Sequence, residues 1–221
     1  QNGQKRNSRD KYIAEPINML SHYWEISEKT SLNTNVAYQT GKIGNSRIDY
    51  QTANNPDPTY YGYMPNYYYN SGDLAGAADA TASFYQNPQI DWNAMYIANQ
   101  NSSDAGRSVY VLYEDRTDDT QWSANSILNS SLSDNISLNA GVNFKHLKSH
   151  NFQYLLDLLG GEYFEDIDPF YKGNLSQSDL QNPNRQVKKG DTYGYNYNFL
   201  ANTIDVFTQF KFTYNKTEFF L

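Results

Sequence analysis

The chain has 221 residues, no cysteine and a formal net charge of −7 at pH 7. Its acidic balance, with no basic patch, excludes nucleic acid as a partner, and the lack of cysteine removes disulfides and thiol chemistry. No run of about 18 apolar residues is present to form a transmembrane helix. Only 38% of the residues are hydrophobic, yet 21 Tyr, 11 Phe and 3 Trp make the chain rich in aromatics. That composition suits strands and half-wet interfaces. Residues 1–10 are polar and charged, without the apolar core of a leader, as expected of a mature product or of an internal piece.

Residues 17–26 read as a strand on which Leu20, His22, Trp24 and Ile26 share a face. Residues 27–30 form a short polar turn into a second strand at 31–40, a hairpin signal. There Leu32, Thr34, Val36 and Tyr38 fall on one face and Ser31, Asn33, Asn35 and Gln39 on the other, the period of two that a pleated strand imposes. Residues 41–119 break the alternation, and so long a connection usually carries function or its own folding. Within it, residues 54–58 (Asn-Asn-Pro-Asp-Pro) cannot be helix or central strand. Tyr60, Tyr61, Tyr63, Tyr67, Tyr68 and Tyr69 follow at once. Residues 88–99 are expected to form a short helix, with Pro88 in its first turn and Ile90, Met95 and Ile97 as its apolar members.

Residues 120–131 and 135–148 make a second hairpin with its turn at 133–135. On its second strand Ile136, Leu138, Ala140, Val142 and Phe144 oppose Ser137, Asn139, Gly141, Asn143 and Lys145. A second long connection is expected over 149–192. In it, residues 151–159 look helical, with Asn151 as N-cap and Gly160-Gly161 as the stop. Residues 193–214 read as a long strand with Ile204, Val206, Phe210 and Phe212 on one face and Asp205, Gln209 and Lys211 on the other. A tight turn at 214–217 leads into the start of another strand at 218–221.

One apolar face opposite an Asn- and Gln-rich face suits a sheet between lipid and a wet lumen, and equally a sandwich sheet facing a core. The connections alternate short, long, short, long, short, which gathers all tight turns at one end and all long loops at the other. Outer-membrane barrels have that asymmetry. The expected class is therefore all-β: an antiparallel transmembrane β-barrel segment with long extracellular loops containing short helices. Residues 1–221 would form part of one barrel domain, with strands at about 16–40, 120–148 and 193–221 and loops at about 41–119 and 149–192.

Three stretches of text carry a family resemblance: residues 15–24 (Glu-Pro-Ile-Asn-Met-Leu-Ser-His-Tyr-Trp) with residues 28–32; residues 55–61 (Asn-Pro-Asp-Pro-Thr-Tyr-Tyr) with residues 64–68; and residues 190–197 (Gly-Asp-Thr-Tyr-Gly-Tyr-Asn-Tyr) with residues 207–210 and 214–216. Together they resemble TonB-dependent outer-membrane receptors, most closely the large type with a carboxypeptidase-like regulatory domain. The resemblance implies nutrient uptake across the outer membrane of a Gram-negative cell, and loops that face outward to contact substrate. It also implies membrane lipid, the rest of the same barrel and its plug, TonB through a missing N-terminal region, and a surface lipoprotein as partners. Such receptors close a barrel of about 22 strands around a plug. About six strands, with no plug and no energy-coupling segment, mark this chain as an internal portion of a longer barrel. Asn143, Lys145, Asp205, Gln209 and Lys211 would then line its lumen. The alternatives are a secreted β-sandwich that binds carbohydrate or mediates adhesion, and a barrel subunit of a larger surface complex.

No catalytic set is expected, and the chain reads as a non-enzyme. There is no nucleophile elbow, no His-Glu-x-x-His and no phosphate loop. His22, His146 and His150 read as wall or interfacial residues. The acidic runs at 114–119 and 162–168 offer oxygen ligands for Ca²⁺, but neither has EF-hand spacing, so they read as solvated loops with no cofactor and no metal site. Tyr60, Tyr61, Tyr63, Tyr67 and Tyr68 are the candidate ligand-binding residues, because rigid amphipathic rings stack on sugars and peptides and are cheap to order.

Overall fold

The structure is a computed structural model and describes residues 6–221. Strand makes up 53% of it and helix 16%, in antiparallel sheets, which establishes a mostly β chain. The strands are β1 (Lys11–Ala14), β2 (Ile17–Ser27), β3 (Thr30–Asp49), β4 (Val111–Ser133), β5 (Ile136–Asp157), β6 (Phe164–Glu165), β7 (Gln186–Val187), β8 (Thr192–Tyr214) and β9 (Thr217–Phe220). The helices α1 (Pro65–Asn70), α2 (Leu74–Gln86) and α3 (Trp92–Gln100) all lie between β3 and β4. One sheet runs in the order β1-β3-β4-β5-β8-β9, with β2 also paired to β3, and β6 pairs with β7 separately. Among the described residues the large sheet is open, with β1 and β2 at one edge and β9 at the other.

The three tight turns fall where the sequence predicts them, at Glu28-Lys29, Asp134-Asn135 and Asn215-Lys216. The strands run further than expected, so the long connections shrink to residues 50–110 and 158–191. The expected helix over 151–159 is not present, because β5 continues through Asp157. The backbone there is taken by neighbours: Leu155 N–H donates to the Asp191 carbonyl (3.0 Å), and Gly190 N–H donates to the Leu155 carbonyl (2.8 Å). Asn151 is no N-cap. Its side-chain oxygen accepts from Thr117 Oγ1 of β4 at 3.0 Å. Pairing across the sheet outweighs a leucine-rich helical pattern. The helix expected at 88–99 forms as α3, but Pro88 precedes it. Asp91 caps it instead, accepting from Ala94 N–H at 3.0 Å. Asp73 does the same for α2, an Ala-rich helix that the sequence reading passed over.

The chain divides into two compact units. Unit one comprises Gln1–Asp10, Asn45–Asp115 and Phe152–Tyr195. Its core is Val111, Leu155, Phe164, Val187 and Tyr193. Asn99 of α3, also buried, ties the loops together. Its amide nitrogen lies 2.8, 2.9 and 3.0 Å from the carbonyls of Tyr110, Leu158 and Leu159. Its oxygen accepts from the N–H groups of Val109 and Tyr110. One side chain thereby reaches five backbone groups of the irregular loops, of which the Leu158 carbonyl also accepts from Ser108 Oγ and Gly161 N–H.

Unit two comprises Lys11–Gly44, Arg116–Asn151 and Asn196–Leu221. The β2–β3 register pairs Leu20 with Val36 and Trp24 with Leu32, and slips by one residue between Glu25 and Ser27. On the same face Tyr38 packs against Trp122 of β4 at 4.3 Å between ring centroids. The opposite face carries Asn35, whose amide donates to Asn125 at 2.8 Å. There a cavity of about 320 Å³ gathers Asn35, Asn125, Asn143, Lys145 and Asp205. Alternation puts Val142, Phe144, Ile204 and Val206 on the other side. None of the buried hydrophobic residues belongs to this unit. Leu20, Ile204 and Val206 remain 74%, 70% and 77% exposed.

Candidate functional site

The five candidate tyrosines lie in unit one on a single compact turn. Tyr60 precedes a 3-10 turn at Tyr61–Tyr63, and Tyr67 and Tyr68 belong to α1. Pro65 sets the first turn of α1, where a missing N–H costs nothing. The rings meet edge to face. Tyr60 touches Tyr61 and Tyr63 at 5.8 and 5.2 Å, Tyr61 touches Tyr67 at 5.3 Å, and Tyr67 touches Tyr68 at 5.3 Å. Such contacts hold each ring in place for about 0.5–1.5 kcal/mol apiece. All but Tyr68 remain exposed.

Tyr60 and Tyr61 also line a cleft of about 480 Å³, whereas Tyr63, Tyr67 and Tyr68 do not reach it. Its other walls come from the end of β3 (Arg47, Ile48) with Tyr50 just beyond it, the start of β4 (Tyr113), the N-terminal residues Ser8 and Arg9, Ile90, and the turn that carries Asn55, Pro56, Asp57 and Thr59. This is a volume typical of small-ligand sites. Asp57 sits in the turn. Its Oδ1 accepts from Thr59 N–H and Thr59 Oγ1 at 2.9 and 2.7 Å, and Arg9 lies 3.1 Å from its Oδ2. The Thr59 hydroxyl above all, with Arg9 beside it, holds the carboxyl below its ordinary 3.8. Arg47 pairs through Nε with Asp115 at 3.5 Å, and Tyr195 donates to the same carboxylate at 3.0 Å. Burial pushes the Tyr113 phenol up to about 12, helped by the negative charge of Asp115. The ring is therefore a neutral wall at any physiological pH. Deeper in the unit Tyr193 donates to Asp49 at 3.1 Å. Burial raises both groups, Tyr193 far above 10 and Asp49 above 3.8.

Several of the acidic residues that offered oxygen ligands are tied into ion pairs, whereas Asp119 Oδ1 is buried without a hydrogen-bond partner. Asp118 pairs with Arg116 at 2.8 Å, Glu165 with Arg107 at 3.0 Å and buried Asp166 with Arg185 at 3.4 Å. Among the described residues no group of three or more His, Asp or Glu side chains is placed to hold a metal ion. His146 and His150 each meet an Asn oxygen of β8, Asn202 and Asn196, at 2.6 Å.

Sequence reasoning singled out the tyrosines because they are contiguous. It missed Arg9, Arg47, Asp57 and Tyr113, which come from separate segments and carry no local signal. No protein-family model, no curated protein and no solved structure matches this chain.

Proposed function

We propose that the chain is part of a TonB-dependent outer-membrane receptor that takes up a nutrient, without enzymatic activity of its own. The strands of unit two would form a stretch of the transmembrane barrel wall. The remainder of the same barrel, a plug, TonB and a surface lipoprotein are its expected partners.

One observation carries this reading: the sheet of unit two has a largely apolar face, broken by the Thr34–Ser126 hydroxyl pair, and fully buries none of its apolar side chains. A sandwich would cover Leu20, Val36, Trp122, Val142, Ile204 and Val206 with a second sheet. A barrel wall presents them to lipid and turns Asn35, Asn143, Lys145 and Asp205 toward water. Strand length agrees. A transmembrane strand needs about 9–11 residues, and β3, β4, β5 and β8 have 20, 23, 22 and 23. The three tight turns belong to unit two and the two long connections to unit one, as in barrels whose long loops face outside. Tyr60, Tyr61, Tyr63, Tyr67 and Tyr68 are the proposed ligand contacts on those loops.

The test is fractionation of cells that make the natural polypeptide, followed by its intact mass. The expected result is an outer-membrane species several-fold heavier than 25.4 kDa that detergent alone releases. A freely soluble species of 25.4 kDa would overturn the proposal and leave a secreted β protein.

A further inference from the structure

The two guanidinium groups that line the cleft of unit one are in different states. Arg9 donates through one terminal nitrogen to Asp57 at 3.1 Å while its side chain stays 77% exposed, and the other oxygen of Asp57 is capped by Thr59. Arg47 meets Asp115 at a long 3.5 Å through Nε. No hydrogen bond holds its guanidinium among the described residues, and its side chain is 64% exposed. Asp115 is itself steadied by Tyr195, so the guanidinium is loosely anchored and remains largely open to solvent. A planar fork of parallel N–H donors matches a carboxylate. Around it stand the rings of Tyr50, Tyr60, Tyr61 and Tyr113, a platform for a flat or apolar body.

We propose that this cleft recognises a small carboxylate-bearing ligand, with the Arg47 fork on the carboxylate and the tyrosine rings against its body. The proposal rests on the reading of Tyr60 and Tyr61 as ligand contacts and adds the chemical class they serve. Asp57 does not oppose it, because Arg9 and Thr59 already neutralise and cap that carboxylate. Asp115 offsets part of the Arg47 charge, so selectivity comes from the fork rather than from a strong field. The cavity of about 480 Å³ suits a dipeptide terminus or an acidic disaccharide.

Calorimetric titration of the full chain in detergent tests this with two matched pairs: acetyl-Leu-Leu against its C-terminal amide, and digalacturonate against its dimethyl ester. At least one acid should bind, with its neutral partner about tenfold weaker or worse. The acid that binds identifies the source of the carboxylate. Arg47→Met should abolish the acid preference, and Arg47→Lys, which keeps the charge but not the fork, should restore only part of it. Tyr61→Ala should weaken acid and neutral probes alike. The proposal is overturned if neither acid binds, if acid and neutral probes bind equally, or if Arg47→Met leaves their ratio intact. Equal binding that Tyr61→Ala still weakens would sink the carboxylate assignment while sparing the tyrosine contacts. Membrane fractionation decides the receptor reading separately.

Discussion

Strand β5 passes through both units and meets two different environments. Val142 and Phe144, early in the strand, are more than two-fifths exposed, whereas Leu155 near its end is completely enclosed. Unit one assembles Leu155 with Val111, Phe164, Val187 and Tyr193 into a core. Unit two lays the same kinds of residue along one face of a sheet and fully encloses none of them. Apolar side chains gain roughly 25 cal/mol per Å² on leaving water. Unit one obtains that gain by internal packing, and on the receptor reading unit two obtains it from lipid. Alternation in a strand therefore states which residues want an apolar neighbour, not what the neighbour is.

The comparison breaks most visibly at the core. Phe164→Ala should destabilise unit one by about 3–5 kcal/mol. Asn99→Ala should approach the same size, since each buried backbone group left without a partner costs about 1–3 kcal/mol. Hydrogen exchange should locate both losses at Val109, Tyr110, Leu158 and Leu159, leaving the hairpins of unit two protected. Next comes Val206→Lys. A lipid-facing position near the bilayer midplane should cost about 2–4 kcal/mol in urea unfolding from vesicles. A water-facing one stays within about 0.5 kcal/mol, and that smaller result would remove the contrast between the units.

Acid–base behaviour gives a finer test confined to unit one. Burial raises the Asp49 carboxyl above 3.8, so the folded chain holds a proton that the unfolded chain releases. The associated stability is complete below 3.8 and lost as pH rises through the raised value. Asp57 is lowered, chiefly by Thr59, so its contribution is present above 3.8 and lost as pH falls through the depressed value. Asp49→Asn should flatten the stability profile on the neutral side of 3.8 and leave the acid side unchanged, as read by denaturant midpoints at stepped pH. The smallest effect is spectroscopic: absorbance near 295 nm should show Tyr113 ionising at about 12, and Tyr113→Phe should remove that late step alone.

The sheet was legible where alternation and tight turns coincide, as at residues 17–40 and 135–148. It was illegible at residues 151–157, where Phe152, Leu155, Leu156 and Leu159 mimic a helical stripe and only bonds to Asp191 and Gly190, distant in the chain, settle the outcome. Helix α2 carried its own signals, Asp73 and an Ala-rich run, which the surrounding Gly, Asn and Asp obscured. Of the cleft, the contiguous Tyr60 and Tyr61 could be read, whereas Arg47 and Tyr113 gain meaning only once the ends of β3 and β4 lie side by side.

The amide of Asn99 has a consequence for timing. It is made 59 residues ahead of Leu158 and 60 ahead of Leu159. As the chain emerges from its N-terminal end, α3 can form early and Asn99 can close on Val109 and Tyr110, but the rest of its clasp waits for the second long connection. Any truncated product that stops before residue 158 would carry a helix with its fastening half made, and quality-control proteases would meet that helix first.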